Sequence, residues 1–256
     1  MEWVKEFYKK QFLALVSTIN TIPSKFFEEE IQNISEQIGR TYCHVLELGA
    51  GSGKIANELA KQGKFVTTVE LVKELTDYAK QDAHPNLNIL CGDFYKVNLD
   101  EQFEAILYLD GFGIGTDDDQ LQLLNRIKHW LTDDGCALID IYNPEYWNKI
   151  HSTQMSPTNN PTLLRKYSYD DLHQRMIDTW WHVENENDPY TQSLACYTLD
   201  EIYMLCQKAN LQIIAYYPGG AMDFKNGVYH DITTLDNCLS YRIKLERKNN
   251  LFKPRL

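Results

Sequence analysis

Apolar side chains at positions 3, 4, 7, 8, 12, 15, 16 and 19 recur at close to helical spacing, a stripe that predicts an amphipathic helix over residues 2–20, stopped by Pro23. A second helix is predicted from Ser24 as N-cap to about Ile38, with Glu28, Glu29 and Glu30 near its positive end and Gly39 closing it. The period then changes. Val45-Leu46-Glu47-Leu48 is an apolar run broken by one acid, Gly49-Ala50-Gly51-Ser52-Gly53 follows, and apolar residues at 55, 56, 59 and 60 return to helical spacing. The unit reads as strand, glycine loop, helix. Further strand-like runs follow at 65–70, 88–94, 103–109 and 136–142, with helical stretches at about 72–82 and 116–131 between them. Such alternation predicts a doubly wound α/β sheet.

Residues 143–197 depart from the alternation. Pro144, Pro157 and Pro161 precede strand-like runs around 163–169, 175–184 and 191–197, with a polar turn expected at 185–189. This predicts an antiparallel flap. Thr198-Leu199-Asp200-Glu201 is a capping box that restarts a helix to about Asn210, and strands are expected at 211–217 and 238–247.

The glycine loop narrows the chemistry. A phosphate-cradling loop ending at Gly53-Lys54 would need a glycine at Leu48 and a hydroxyl at Ile55, and a dinucleotide loop from Gly49 and Gly51 would need a glycine at Lys54. What stands is Glu47-x-Gly49-x-Gly51-x-Gly53. It resembles motif I of the class I S-adenosylmethionine-dependent methyltransferases. Glu70, at the tip of the second strand and nineteen positions after Gly51, is placed to accept both hydroxyls of a ribose. The resemblance implies that Glu47 faces the amino-acid end of S-adenosylmethionine, that Asp93 accepts from the adenine amine and that Phe94 packs on the ring. It implies a cofactor set of Glu47, Gly49, Ala50, Gly51, Gly53, Glu70, Leu71, Asp93, Phe94, Leu109 and Tyr8. It also implies a seven-stranded, mostly parallel sheet with an antiparallel last strand. The expected division is 1–39 as an N-terminal helical lid carrying Phe7, Tyr8 and Gln11, 40–142 with 198–256 as the core, and 143–197 as an inserted β flap serving as substrate lid or dimer contact.

A formal net charge of −11 argues against a nucleic-acid partner. The basic cluster Arg242, Lys244, Arg247, Lys248, Lys253 and Arg255 reads as a solvated strand face and tail. Six cysteines without Cys-x-x-Cys spacing suggest reduced thiols in a cytoplasmic protein, and neither a signal peptide nor a membrane span is expected. The run Asp117-Asp118-Asp119 reads as complementing a helix dipole, and no metal is expected.

Methyl transfer from a sulfonium is an in-line displacement that asks mainly for alignment and a dry site. Candidate bases are Asp110 at the fourth strand tip, His151 and His182 in the insert, and His230 in the last loop; Tyr142, Trp147, Trp180, Trp181 and Tyr217 are candidate acceptor walls. Leu109-Asp110-Gly111-Phe112 stands where amino-methylating DNA and glutamine enzymes carry an Asn/Asp-Pro-Pro-aromatic loop. The expectation is a monomeric or homodimeric enzyme methylating O or N of a small biosynthetic or natural-product acceptor. The alternatives are a non-catalytic cofactor-binding or partner-binding subunit with the same fold, and a nicotinamide-dependent oxidoreductase.

Overall fold

The computed structural model describes residues 2–157 and 161–248. The chain opens with α1 (Glu2–Ile19) and α2 (Ser24–Ile38), then runs β1 (His44–Leu48), α3 (Lys54–Lys61), β2 (Phe65–Glu70), α4 (Lys73–Ala79), β3 (Leu87–Cys91), β4 (Phe103–Tyr108), α5 (Asp117–Trp130) and β5 (Leu131–Tyr142). The insert holds α6 (Pro144–Lys149), β6 (Gln154–Met155), β7 (Leu163–Asp170), β8 (Arg175–His182) and β9 (Asn185–Ala195). The core resumes with α7 (Leu199–Lys208) and β10 (Leu211–Pro218), carries a short hairpin of β11 (Ala221–Asp223) and β12 (Val228–His230), and ends in β13 (Ser240–Arg247).

Seven strands form one sheet in the order β10-β13-β5-β4-β1-β2-β3, in which β13 alone runs antiparallel to its neighbours. This is the class I methyltransferase sheet. Buried strands covered on both faces read as near-continuous apolar runs. Ile31, Ile34 and Ile38 of α2 pack with Ala56 and Leu59 of α3 on one face, and Leu123, Leu124 and Ile127 of α5 with Ile202 and Leu205 of α7 on the other. The chain leaves β1 for β2 on one side and takes up β4 on the other, so the carboxyl ends of β1 and β4 flank the switch point where open α/β sheets bind ligands.

Local details differ from the expectation. Pro23, with extended backbone, holds the cap position of α2 and Ser24 is already helical. The insert turns at Val183 and Glu184, so the polar residues from Asn185 onward belong to β9, where an edge position tolerates Pro189. The fifth strand begins at Leu131 and carries Asp133-Asp134-Gly135 as an irregularity, its register with β4 jumping between the Phe103 and Ala105 pairs. Helix α6 and the β11–β12 hairpin had no clear sequence signal. The basic cluster is not a free face. Arg242 is bound by Asp140 and Glu30, Lys244 donates to the Ile38 carbonyl, and Arg247 pairs with Asp133; Lys253 and Arg255 lie outside the described residues.

Candidate active site

A cavity of about 250 Å³ opens at the switch point. Its floor is the glycine loop. Gly51 has φ +55°, a left-handed conformation that favours glycine, and no atom stands within 4 Å of the place a Cβ would occupy. The open space is where a ligand approaches the backbone. Gly53, φ +70°, begins α3 so closely under α4 that a Cβ would lie 2.8 Å from that of Ala79.

Glu70 ties β2 to this loop. Its Oε2 accepts the Gly51 N–H and its Oε1 the Val72 N–H, both at 2.8 Å, and the side chain lines the cavity. Burial raises its pKa against those donors. Each carboxylate oxygen retains acceptor capacity for a diol. Asp93 and Phe94 also form wall, with Asp93 fixed by the Tyr95 N–H at 2.9 Å. Glu47 lies beneath the loop at 4% exposure and not in the wall, and its Oε2 is buried without a hydrogen-bond partner. Burial pushes its pKa up to about 8.

Asp110 enters from the far side. It stands just beyond β4 in the left-handed region, φ +53°, a conformation that costs a non-glycine residue of order 1–3 kcal/mol and is often found at functional positions. Tyr142, at the end of β5, donates its hydroxyl to Asp110 Oδ1. The Asp110 N–H donates to Asp140 Oδ2 at 3.3 Å, and Arg242 grips Asp140 through two nitrogens at 2.6 and 3.1 Å. The Asp110 carboxyl is pushed up to about 6, first by burial within the cavity and then by the charges of Asp140 and Asp178, while Tyr142 and Arg165 pull it back.

Helix α1 supplies the roof, through Val4, Tyr8, Gln11, Phe12, Leu15 and Ile19. The Tyr8 hydroxyl donates to Gln192 Oε1 of β9 at 3.0 Å, and Gln192 donates on to Asp178 of β8 at 3.2 Å. Asp178 is wholly buried and held by Arg165 in a two-nitrogen bridge and by the Trp180 indole N–H. Sequence reasoning missed this network. The available signal was the alternation of β8, where Asp178 takes an inward position between Met176 and Trp180 and therefore needs a partner.

Of the residues singled out in the sequence, the cavity wall collects Tyr8, Gln11, Gly49, Gly51, Glu70, Leu71, Asp93, Phe94, Leu109 and Asp110. Ala50 and Gly53 shape the loop from outside the wall. Tyr142 stands one layer behind Asp110, and Trp147 lies edge-on behind it at 5.5 Å, donating to the Leu239 carbonyl. The other candidates lie elsewhere. His151 accepts the Tyr169 N–H through Nδ1, His182 ends β8 in solvent, and His230 sits in the exposed β11–β12 hairpin. Trp181 points to the opposite face of β8 from Trp180, Phe7 packs on Tyr190, and Tyr217 reaches the Gln37 carbonyl at the β10 edge of the sheet.

The wall has a single sign of charge. Among its residues Glu70, Asp93 and Asp110 are acidic, and none is lysine, arginine or histidine. Such a surface suits a ligand with positive charge and opposes a pyrophosphate. S-adenosylmethionine, with a sulfonium, an ammonium and a ribose diol, fits it, and the orphaned Glu47 oxygen beneath the loop fits the same reading. The fold and site together define a class I methyltransferase architecture.

The comparisons agree. Residues 45–135 match a family model described as a methyltransferase domain. An uncharacterised methyltransferase of Oceanobacillus iheyensis is 26% identical over 149 residues, which are 58% of this chain and 66% of that protein. Among curated relatives the match spans from 36% to 67% of the relative's length. A Clostridium acetobutylicum S-adenosylmethionine-dependent methyltransferase structure superposes with a TM-score of 0.69 at 14% identity, covering 94% of this chain and 98% of that one. A Micromonospora echinaspora amino pentose methyltransferase of calicheamicin biosynthesis, solved with S-adenosylmethionine bound, gives 0.63 at 16% identity, covering 86% and 91%.

Proposed function

We propose that this protein transfers a methyl group from S-adenosylmethionine to O or N of a small biosynthetic acceptor. The observation that carries the reading is the cavity at the β1–β4 switch point whose charged residues are all acidic, with Glu70 locked to the Gly51 backbone. When bound, the cofactor supplies an electrophilic methyl on a positively charged sulfur. The chain's residues bind, orient and exclude water. Glu70 receives the ribose diol, Asp93 and Phe94 receive the adenine, and the loop backbone at Gly49 and Gly51 lets the amino-acid end approach Glu47. Helix α1, within residues 1–39, covers the cavity, and the 143–197 insert backs that roof through Gln192 of β9, which accepts from Tyr8. Asp110 meets the acceptor.

A small acceptor is consistent with a cavity of about 250 Å³ roofed by Tyr8, Phe12 and Leu15, and one superposing structure is named as acting on an amino pentose. Among the described residues no helix is long and apolar enough to cross a membrane. Calorimetry and thermal shift with S-adenosylmethionine, S-adenosylhomocysteine and NADH test the reading. Stabilisation by both sulfur ligands, lost in Glu70→Ala, is expected; no response to either sinks it.

A further inference from the structure

The cavity's acceptor side contains one charged group that cofactor binding leaves unused. Asp110 lies in the wall with Leu109 and Gly111, just beyond β4, which the sheet order places on the other side of β1 from the β2 and β3 ends that carry Glu70 and Asp93. Its backbone is held in the left-handed region by the Asp140–Arg242 pair, and its carboxylate is steadied by the Tyr142 hydroxyl. No lysine, arginine or histidine of the wall neutralises it. The neighbouring hydroxyls of Tyr8 and Tyr142 have pKa values raised by burial and by these same carboxylates, so they stay neutral donors. An aligned carboxylate in an apolar cavity without a cationic partner in the wall is a receptor for a cation.

Resting on the methyl-transfer reading, we propose that the acceptor is a primary or secondary amine whose nitrogen is received by the Asp110 carboxylate, with Tyr142 as the residue that positions it. The ammonium form docks on Asp110. One N–H bond breaks, its electron pair stays on nitrogen, and the proton passes to a carboxylate oxygen of Asp110. The freed pair then forms the N–C bond to the methyl as the C–S bond breaks, with that bond's electrons remaining on sulfur. The methylated amine leaves as an ammonium, and Asp110 returns its proton to water. The acid strengths agree with an amine. Burial raises the carboxyl to about 6 and lowers an ammonium from its usual value of about 10, so the two approach one another. An aliphatic hydroxyl is a far weaker acid, and the wall offers no base strong enough to take its proton, since its buried tyrosines stay protonated.

The test uses the protein saturated with S-adenosylhomocysteine and two probe pairs matched in shape, benzylamine with benzyl alcohol and cyclohexylamine with cyclohexanol, titrated by ligand-observed NMR. Each amine is expected to bind at least tenfold tighter than its alcohol. The ratio should fall below threefold in Asp110→Asn, which tolerates the same backbone conformation, and shrink partway in Tyr142→Phe, with S-adenosylhomocysteine affinity within threefold of wild type in both. Asp110→Ser serves if the asparagine variant does not fold. Equal binding of amine and alcohol, no amine binding, or a preference that survives loss of the carboxylate overturns the proposal. Wild type that fails to bind S-adenosylhomocysteine overturns the methyl-transfer reading and the proposal with it.

Discussion

Glu70 Oε2 accepts the Gly51 N–H at 2.8 Å, joining the tip of the second strand to the loop after the first. The contact makes one rigid unit of two elements that approach the ligand from different sides. Glu70→Ala should therefore weaken S-adenosylhomocysteine binding by about 10- to 100-fold, the range for losing hydrogen bonds to a charged group. Isothermal calorimetry checks this, and Glu70→Gln, which keeps an acceptor for Gly51 or Val72, should fall between the two.

Glu47 makes the ligand-free protein sensitive to alkali. Its folded pKa of about 8 lies above the usual carboxylate value of 4.5, so between those limits the folded state holds a proton that the unfolded chain releases. Stability from this group is present in full below 4.5 and is lost as pH rises toward 8. Denaturant unfolding from pH 5 to 8.5 should show Glu47→Gln flattening the decline. A slope identical to wild type would contradict it.

On the proposed reading, Asp110 should govern the acid limb of turnover. With its carboxyl near 6 under the influence of burial, Asp140 and Asp178 against Tyr142 and Arg165, only the ionised form takes a proton. Once an acceptor is in hand, kcat/KM should rise through about pH 6 and level above it, and Asp110→Asn should lower it by about 100-fold or more, within the range for general base catalysis.

Tyr8 latches the roof to the flap. Removing its hydroxyl in Tyr8→Phe leaves Gln192 Oε1 without this donor, and the loss should be about 0.5–1.5 kcal/mol. Stopped-flow measurement should find S-adenosylhomocysteine leaving several-fold faster with association little changed.

The parallel core was legible because its first four strands each carry a chemical marker at or near the carboxyl end. Glu47 interrupts its apolar run one residue before the end while Glu70, Asp93 and Asp110 end or follow theirs, and the periodicity between them separates strand from helix. The thickness of the site was not legible. Gln192 and Asp178 have no local pattern of their own, since their role comes from pairing β8 with β9 and from α1 lying across both. The histidines illustrate the converse. His151, His182 and His230 carry the right chemistry for a base, yet strand ends and turns direct them to backbone partners or solvent. Trp181 and Trp180 are adjacent in sequence and opposite in space, a distinction that depends on which face of the hairpin meets α1.

The contact between Tyr8 and Gln192 spans 184 positions of chain. On a ribosome α1 emerges well before β9, so the roof has nothing to close upon until the insert has been synthesised. Closing so long a loop adds entropy cost and slows assembly. The parallel sheet can form before that step. A chain stalled short of β9 would thus possess the glycine loop and its carboxylates without the Tyr8–Gln192 contact that fastens their roof.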